Sequence, residues 1–134
     1  MLQRVELTGL EQSLDHIREA PADGGTVVLI ARRPAEDERE VLTEAQLTTR
    51  DGLEGDTWRV RGSSRTPDGG PNAEAQLTLM NARAAAAIAG GRERWALAGD
   101  QIYVDLDISS TNLPPGSRVQ IGRASCRERV FGYV

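Results

Sequence analysis

The sequence predicts a mainly β, α+β domain: a curved, largely antiparallel sheet with a few helices. Three observations lead there. The stretch "GGTVVLIARRP" (24–34) is β-branched and apolar, and "DQIYVDLDIS" (100–109) alternates from Ile102 onward, with Ile102, Val104, Leu106 and Ile108 on one face. Between them only "ARAAAAIA" (82–89) is a strong helix former. With 134 residues the chain has the length of one ordinary domain, able to bury roughly two thirds of the surface its unfolded form exposes.

Taken in order, "TGLEQSLDHIREAP" opens with a capping-box pattern, Thr8 followed by Glu11. It sets Leu10, Leu14 and Ile17 on one helical face before Pro21 stops it. His16 falls off that stripe and reads as an exposed helix histidine, since no orienting partner accompanies it. "GGTVVLIARRP" and "VLTEAQLTT" read as two strands joined by the acidic loop "AEDERE". The carboxylates Glu36, Asp37, Glu38 and Glu40 lack the glycine and carbonyl spacing of a calcium loop and read as solvated.

"RDGLEGDTW" places Gly52 and Gly55 around Leu53 and Glu54. The polar, turn-rich "RGSSRTPDGGPN" that follows reads as a long exposed loop. "AQLTLM" reads as a strand, Asn81 as the cap of the helix Ala82–Ala89, and "GG" as its terminator. In the long strand Ile102, Val104, Leu106 and Ile108 form the core face, with Tyr103, Asp105 and Asp107 facing away. Those two aspartates read as solvent-facing or loop-capping in preference to a metal or proton-exchange pair. "TNLPPGSRVQI" adds a Pro-Gly turn and a short strand.

Composition narrows the function classes. The net charge is -4 with no basic block, so the footprint of a nucleic-acid binder is missing. The run "TVVLIA" is far shorter than the roughly 20 residues that span a bilayer, and "MLQRVELTG" has no signal-peptide core. The expectation is a cytoplasmic protein with a small-molecule cofactor or substrate and neither nucleic-acid nor membrane partner. All sixteen basic residues are arginine, which rules out a lysine Schiff base to a carbonyl substrate or pyridoxal phosphate. One cysteine and one histidine give no disulfide and no zinc-type spacing, and no catalytic or metal-binding residue is assigned.

The series "GTVVLIARRP", "GLEGDTW", "AQLTLMNARAAAAIA" and "LAGDQIYVDLDISSTNLPPGSRVQIG" resembles the MOSC domain family, over about Gly25 to Gly122. The resemblance implies a MOSC-type twisted, barrel-like β-structure with a few helices, incomplete at its C-terminus. It also implies molybdenum-cofactor (molybdopterin) binding or sulfur transfer, through a cysteine further toward the C-terminus than the recognisable part reaches. A soft thiolate suits either role. Cofactor contacts are expected at Gly52, Gly55, Asp56 and Gln101, where glycine exposes backbone N–H groups. The chain departs from many relatives in having Thr57 and Trp58 after Gly-Asp, where a basic or histidine residue is usual, and Asp100-Gln101 where Arg-Asn is usual.

Cys126, in "IGRASCRERVFGYV", has Arg127 and Arg129 beside it, which would lower a thiol pKa. The residues "IGRASCRERV" can be written in codons as the continuous sequence of a widely used short-read sequencing adapter, whose dual-index form continues as three variable residues, a valine and a stop, as Phe131, Gly132, Tyr133 and Val134 do. Residues 1–120 are therefore expected to be the N-terminal portion of a bacterial MOSC-like domain, and 121–134 a translated adapter tail. On that reading Cys126 is not the family cysteine, and the natural portion, without three Arg and one Glu, has a net charge of -6. A strand edge should be left unpaired, although Ile121, Val130 and Phe131 favour extended structure and suit an added strand. The expected parent is an enzyme or sulfur carrier and this chain is expected to be inactive. The alternative is a non-catalytic small-molecule or protein-binding barrel module; a cysteine in the missing segment would favour the former.

Overall fold

The computed structural model describes residues 7–122 and 124–127. An N-terminal helix, α1 (Leu7–Arg18), leads through Pro21 and a glycine turn into strand β1 (Thr26–Arg32). β2 (Glu40–Leu42) follows the acidic loop, and β3 (Leu47–Thr48) with β4 (Gly52–Leu53) makes a small hairpin. A one-turn helix, α2 (Trp58–Arg61), precedes the long loop. Then come β5 (Leu79–Asn81), α3 (Ala82–Ala89), a 3-10 segment (Arg92–Ala98) and β6 (Ile102–Asp105). The last two strands are β7 (Arg118–Ile121) and β8 (Ala124–Arg127).

The main sheet has the order β2-β1-β6-β5. β1 is antiparallel to β2 and β6, while β5 and β6 are parallel. The fold is thus α+β with a mixed four-stranded sheet, and the described residues form no closed barrel. Two causes separate this from the expected largely antiparallel sheet. β5 and β6 are joined through α3, a crossover that makes them parallel. The expected strand "VLTEAQLTT" is broken by a bend at Thr43–Glu44, so its halves go to different sheets.

Local chemistry explains the central unit. The Asn81 side chain accepts from the Ala84 N–H at 2.9 Å, capping α3, while its Nδ2 donates to the Leu106 carbonyl at 2.9 Å. One residue thereby starts the helix and ties it to the end of β6. Ala82 and Ala85 of α3 are buried, and with no side chain beyond Cβ the helix packs closely on Leu29, Ala31 and Tyr103, with Trp95 and Ala96 completing the core. A bulge between Val27 and Leu29 interrupts the β1–β6 ladder. The Val28 carbonyl accepts from Arg92 Nη2 at 2.6 Å, and the same guanidinium lies 5.8 Å from the Trp95 ring centroid.

The long strand is buried on both faces, not on one as its alternation suggests. Ile102, Tyr103 and Val104 are all buried, because β6 lies inside the sheet with β1 and β5 on either side and α3 and Trp95 over the Tyr103 face. Its strand ends at Asp105, which pairs with Arg83 at 2.8 Å, while Asp107 Oδ1 accepts from the Ser109 N–H. Neither aspartate joins a proton-exchange pair in these contacts. α1 begins at Leu7, its Leu14 is 44% exposed, and His16 is exposed.

β7 pairs antiparallel with β8, with Val119 opposite Cys126 and Ile121 opposite Ala124. The chain beyond Gly122 thus adds a strand to β7, while β2 and β5 remain the edges of the main sheet. Val130 and Phe131 lie outside the described residues. No helix among the described residues is long and apolar enough to cross a membrane.

Candidate functional site

The C-terminal end of β1 and the start of β6 meet where Ala31 N donates to the Gln101 carbonyl at 2.8 Å. One residue further along each chain stand Arg32 and Asp100, with Arg33 just beyond. The "GLEGDTW" segment folds across this end. Gly52 and Gly55 both have positive φ, 68° and 86°, and neither tolerates a larger residue. A Cβ on Gly52 would lie 2.7 Å from the Gln76 carbonyl oxygen, and one on Gly55 would run into the Arg32 guanidinium. The glycines therefore serve close approach of the loop to β1 and to the chain entering β5.

Asp56 is the centre of the clasp. Its Oδ1 accepts the Arg33 backbone N–H at 2.7 Å and Arg33 Nε at 3.4 Å; Oδ2 accepts the Trp58 N–H at 3.0 Å and Arg33 Nη2 at 3.3 Å. The Thr57 N–H donates to the Arg33 carbonyl at 2.9 Å. Burial alone would raise the Asp56 pKa, but the Arg33 backbone N–H, its guanidinium and the Trp58 N–H more than reverse this, and the carboxyl lies below its ordinary value. Asp56 is therefore a fixed anion whose lone pairs are largely spoken for.

A second guanidinium, that of Arg61, acts electrostatically on this pair. Arg61 closes α2, held by its N–H to the Thr57 carbonyl at 2.8 Å. Burial and then the charge of Arg33 push Arg61 below its usual value; Asp56 opposes this, and Arg39 adds to it. All three arginines stay cationic in protein, so their mutual repulsion marks a concentration of positive charge. Asp100, across from them, is raised by burial, and Arg33 opposes that only partly. Burial and then the Asp100 charge push the Tyr103 hydroxyl up to about 12.

Gln101 is 1% exposed. Its Oε1 accepts the Thr78 N–H at 3.0 Å, which fixes the amide orientation and leaves Nε2 buried with no hydrogen-bond partner. Arg32 Nε is in the same condition, although Arg32 bonds the Glu54 carbonyl and pairs with Glu40. Unsatisfied buried donors are uncommon, and each calls for a physical explanation.

Gly52, Gly55, Asp56 and Gln101 are thus gathered at one end of the sheet. Gly52 and Gly55 shape the loop, Asp56 binds Arg33, and Gln101 offers a free donor. Sequence reasoning missed Arg33, Arg39 and Arg61; the signal available was an Arg-Arg pair closing an apolar strand. Glu36, Asp37 and Glu38 are exposed, as read from the sequence, whereas Glu40 is half-buried at the start of β2 and paired with Arg32. Among the described residues no three His, Cys, Asp or Glu side chains converge to hold a metal ion. No protein-family model, curated protein or solved structure matches the chain.

Proposed function

We propose that residues 1–120 are the N-terminal portion of a MOSC-type domain whose parent binds the molybdenum cofactor or transfers sulfur, and that the β1–β6 sheet end receives its anionic ligand. The observation that carries this is the Arg33–Asp56 clasp at the sheet end where Gln101 keeps a buried amide donor without a partner, with the charge of Arg61 felt at the clasp. Cationic guanidinium groups with a neutral donor among them suit an oxyanion, which Arg binds in a planar, two-pronged way. This chemistry suits the anionic part of such a cofactor: Arg33, Arg39 and Arg61 would hold it by charge and Gln101 Nε2 by hydrogen bonding. When bound, the cofactor would supply molybdenum redox chemistry or accept sulfur.

The chain's own residues bind and orient. Asp56 holds Arg33 in one direction through both carboxylate oxygens, so the guanidinium face is set before a ligand arrives. Gly52 and Gly55 let the loop lie close enough for this. We also propose that residues 121–134 are translated adapter and that Cys126 takes no part in sulfur transfer. Molybdate added to the chain, followed by residue-resolved NMR, tests the site. Shifts centred on Gly52–Asp56, Arg61 and Gln101 are expected, and shifts confined to α1 or the β7–β8 hairpin would refute it. Persulfide on Cys126 that supports sulfur transfer, and is abolished by Cys126→Ser, would refute the assignment of the tail.

A further inference from the structure

Three aspartates in the chain are followed by glycine: Asp23-Gly24, Asp51-Gly52 and Asp68-Gly69. Such a pair is chemically reactive, because the glycine has no side chain to hinder attack by its nitrogen on the preceding carboxyl carbon. The three glycines share a left-handed backbone, with φ of 63°, 68° and 72°, so their own conformation does not separate them. The carboxylates do. Asp68 Oδ1 reaches past its neighbour to accept the Gly70 N–H at 2.9 Å, while the Gly69 N–H donates to the Thr66 carbonyl at 3.2 Å. Asp51 Oδ1 lies 3.6 Å from Arg59 Nη1 and 3.8 Å from Arg50 Nε, and the buried Gly52 stands opposite Thr48 in the β3–β4 ladder. At Asp23 the carboxylate is folded back on the next nitrogen: Gly24 N donates to Oδ1 at 2.8 Å and to no other acceptor among the described residues. Asp23 and Gly24 are also exposed, so water reaches them.

We infer that Asp23 is a site of spontaneous modification, at which the chain forms a succinimide and then isoaspartate. The Gly24 nitrogen attacks Asp23 Cγ from a position already beside it, and the N–H proton and the carboxyl hydroxyl leave as one water as the five-membered ring closes. Water then adds back at either ring carbonyl. Breaking the N–Cγ bond restores aspartate; breaking the original peptide bond leaves the chain running through Cβ and Cγ with a free α-carboxylate. One water is lost and one regained, so no oxidant, reductant or enzyme is needed. The product lengthens the backbone by one atom at a tight junction. Just before it, the Pro21 carbonyl accepts the Asp107 N–H at 2.8 Å and the Ala22 carbonyl accepts from Asn112 Nδ2 at 2.8 Å. Just after it, Gly25 lies so close to the Asp105 carbonyl and Leu106 that a Cβ would have no room. Isoaspartate at this position therefore loosens the tie that holds the α1–β1 turn against the chain leaving β6.

The test is to age the full wild-type chain in mildly acidic buffer, once folded and once unfolded in urea, and to cleave it after arginine. The three sites then fall in separate peptides, 19–32, 51–59 and 66–83. Mass spectrometry with electron-transfer fragmentation counts isoaspartate in each, and the loss of one water reports the succinimide. In the folded chain isoaspartate at Asp23 should form on the order of tenfold faster than at Asp51 or Asp68, an effect of the size that a pre-set attack geometry supplies. In urea the three rates should converge. Equal rates in the folded chain, absence of isoaspartate included, or a faster rate at Asp51 or Asp68, overturn the inference. An Asp23 lead of the same size in urea overturns it too, since the cause would then lie in the sequence rather than in the fold. The isoaspartyl form, purified by chromatography, should show shifted NMR signals for the Asp107 N–H and the Asn112 side-chain amide; signals unchanged from the fresh chain overturn the loosening of the junction.

Discussion

The Tyr103–Trp95 core and the Arg33–Asp56 sheet end both bury polar groups, but they treat them in opposite ways. In the core each is matched: the Tyr103 hydroxyl donates to the Trp95 carbonyl at 2.6 Å, Trp95 Nε1 to the Gly90 carbonyl at 3.1 Å, and Asn81 bonds at both ends of its amide. At the sheet end Gln101 Nε2 and Arg32 Nε are left unmatched, and burial holds the Asp100 carboxyl above its ordinary pKa with only Arg33 opposing. A satisfied network rigidifies, whereas perturbed titrating groups collect at functional sites as well as in structural ion pairs. The two regions share strands β1 and β6, so the first holds still what the second presents.

The largest effect should come from emptying the core. Trp95→Ala removes a buried ring that packs on Tyr103, with centroids 5.8 Å apart, and should cost about 3–5 kcal/mol in denaturant unfolding. A loss under about 1 kcal/mol would mean that the helical layer does not rest on this ring. Next, Asp56→Ala should cost about 2–3 kcal/mol, because it strands the Arg33 guanidinium and two backbone N–H groups. Its pH dependence sharpens the contrast: with a folded pKa below that of the unfolded chain, Asp56 stabilises above the unfolded value of about 3.8, and this is lost as pH falls through the lower folded value. Asp56→Ala should lack that acid-side loss.

Tyr103→Phe should cost about 1 kcal/mol at neutral pH. The Tyr103 pKa is raised in the fold to about 12 from 10, so its contribution is present below pH 10 and is lost as pH rises toward 12. Unfolding followed from pH 9 to 12 should show this step in wild type and not in Tyr103→Phe. The smallest effect, and of opposite sign, is expected for Asp100→Asn. A half-buried carboxylate whose pKa is raised disfavours the fold once ionised, so the variant should be slightly stabilised at pH 7 and unchanged near pH 3. Destabilisation at pH 7 would show that Asp100 belongs with the matched groups of the core.

The core half of this contrast was legible in the sequence where its cause is local. Asn81, the alanines after it and Gly90 define α3 within a dozen residues. The Pro114–Ser117 turn follows from Pro115 and Gly116, whose φ is 92°, with Ser117 N donating to the Pro114 carbonyl at 3.0 Å. Burial of Tyr103 was not legible, because alternation reports which residues share a face and not whether a helix covers it. The sheet end was half legible. Glycines betray a close-packed loop, and they marked 52–56. Arg33 and Arg61 are brought together only by the fold, and charged residues carry no periodicity that would reveal it. The addition of β8 to β7 depends on backbone pairing, which almost any extended sequence can supply.

The central claim is that the sheet end is built for an oxyanion rather than for stability, and thermal unfolding of wild type and Arg61→Ala with and without molybdate tests it most directly. A ligand that binds only the folded chain raises its melting temperature in proportion to the logarithm of saturation. A rise with molybdate is expected in wild type, little or none in Arg61→Ala, with melting temperatures for the two proteins within a few degrees when molybdate is left out. An Arg61→Ala protein that melts far lower on its own yet responds to molybdate as wild type does would contradict it, placing Arg61 among the residues that merely hold the fold.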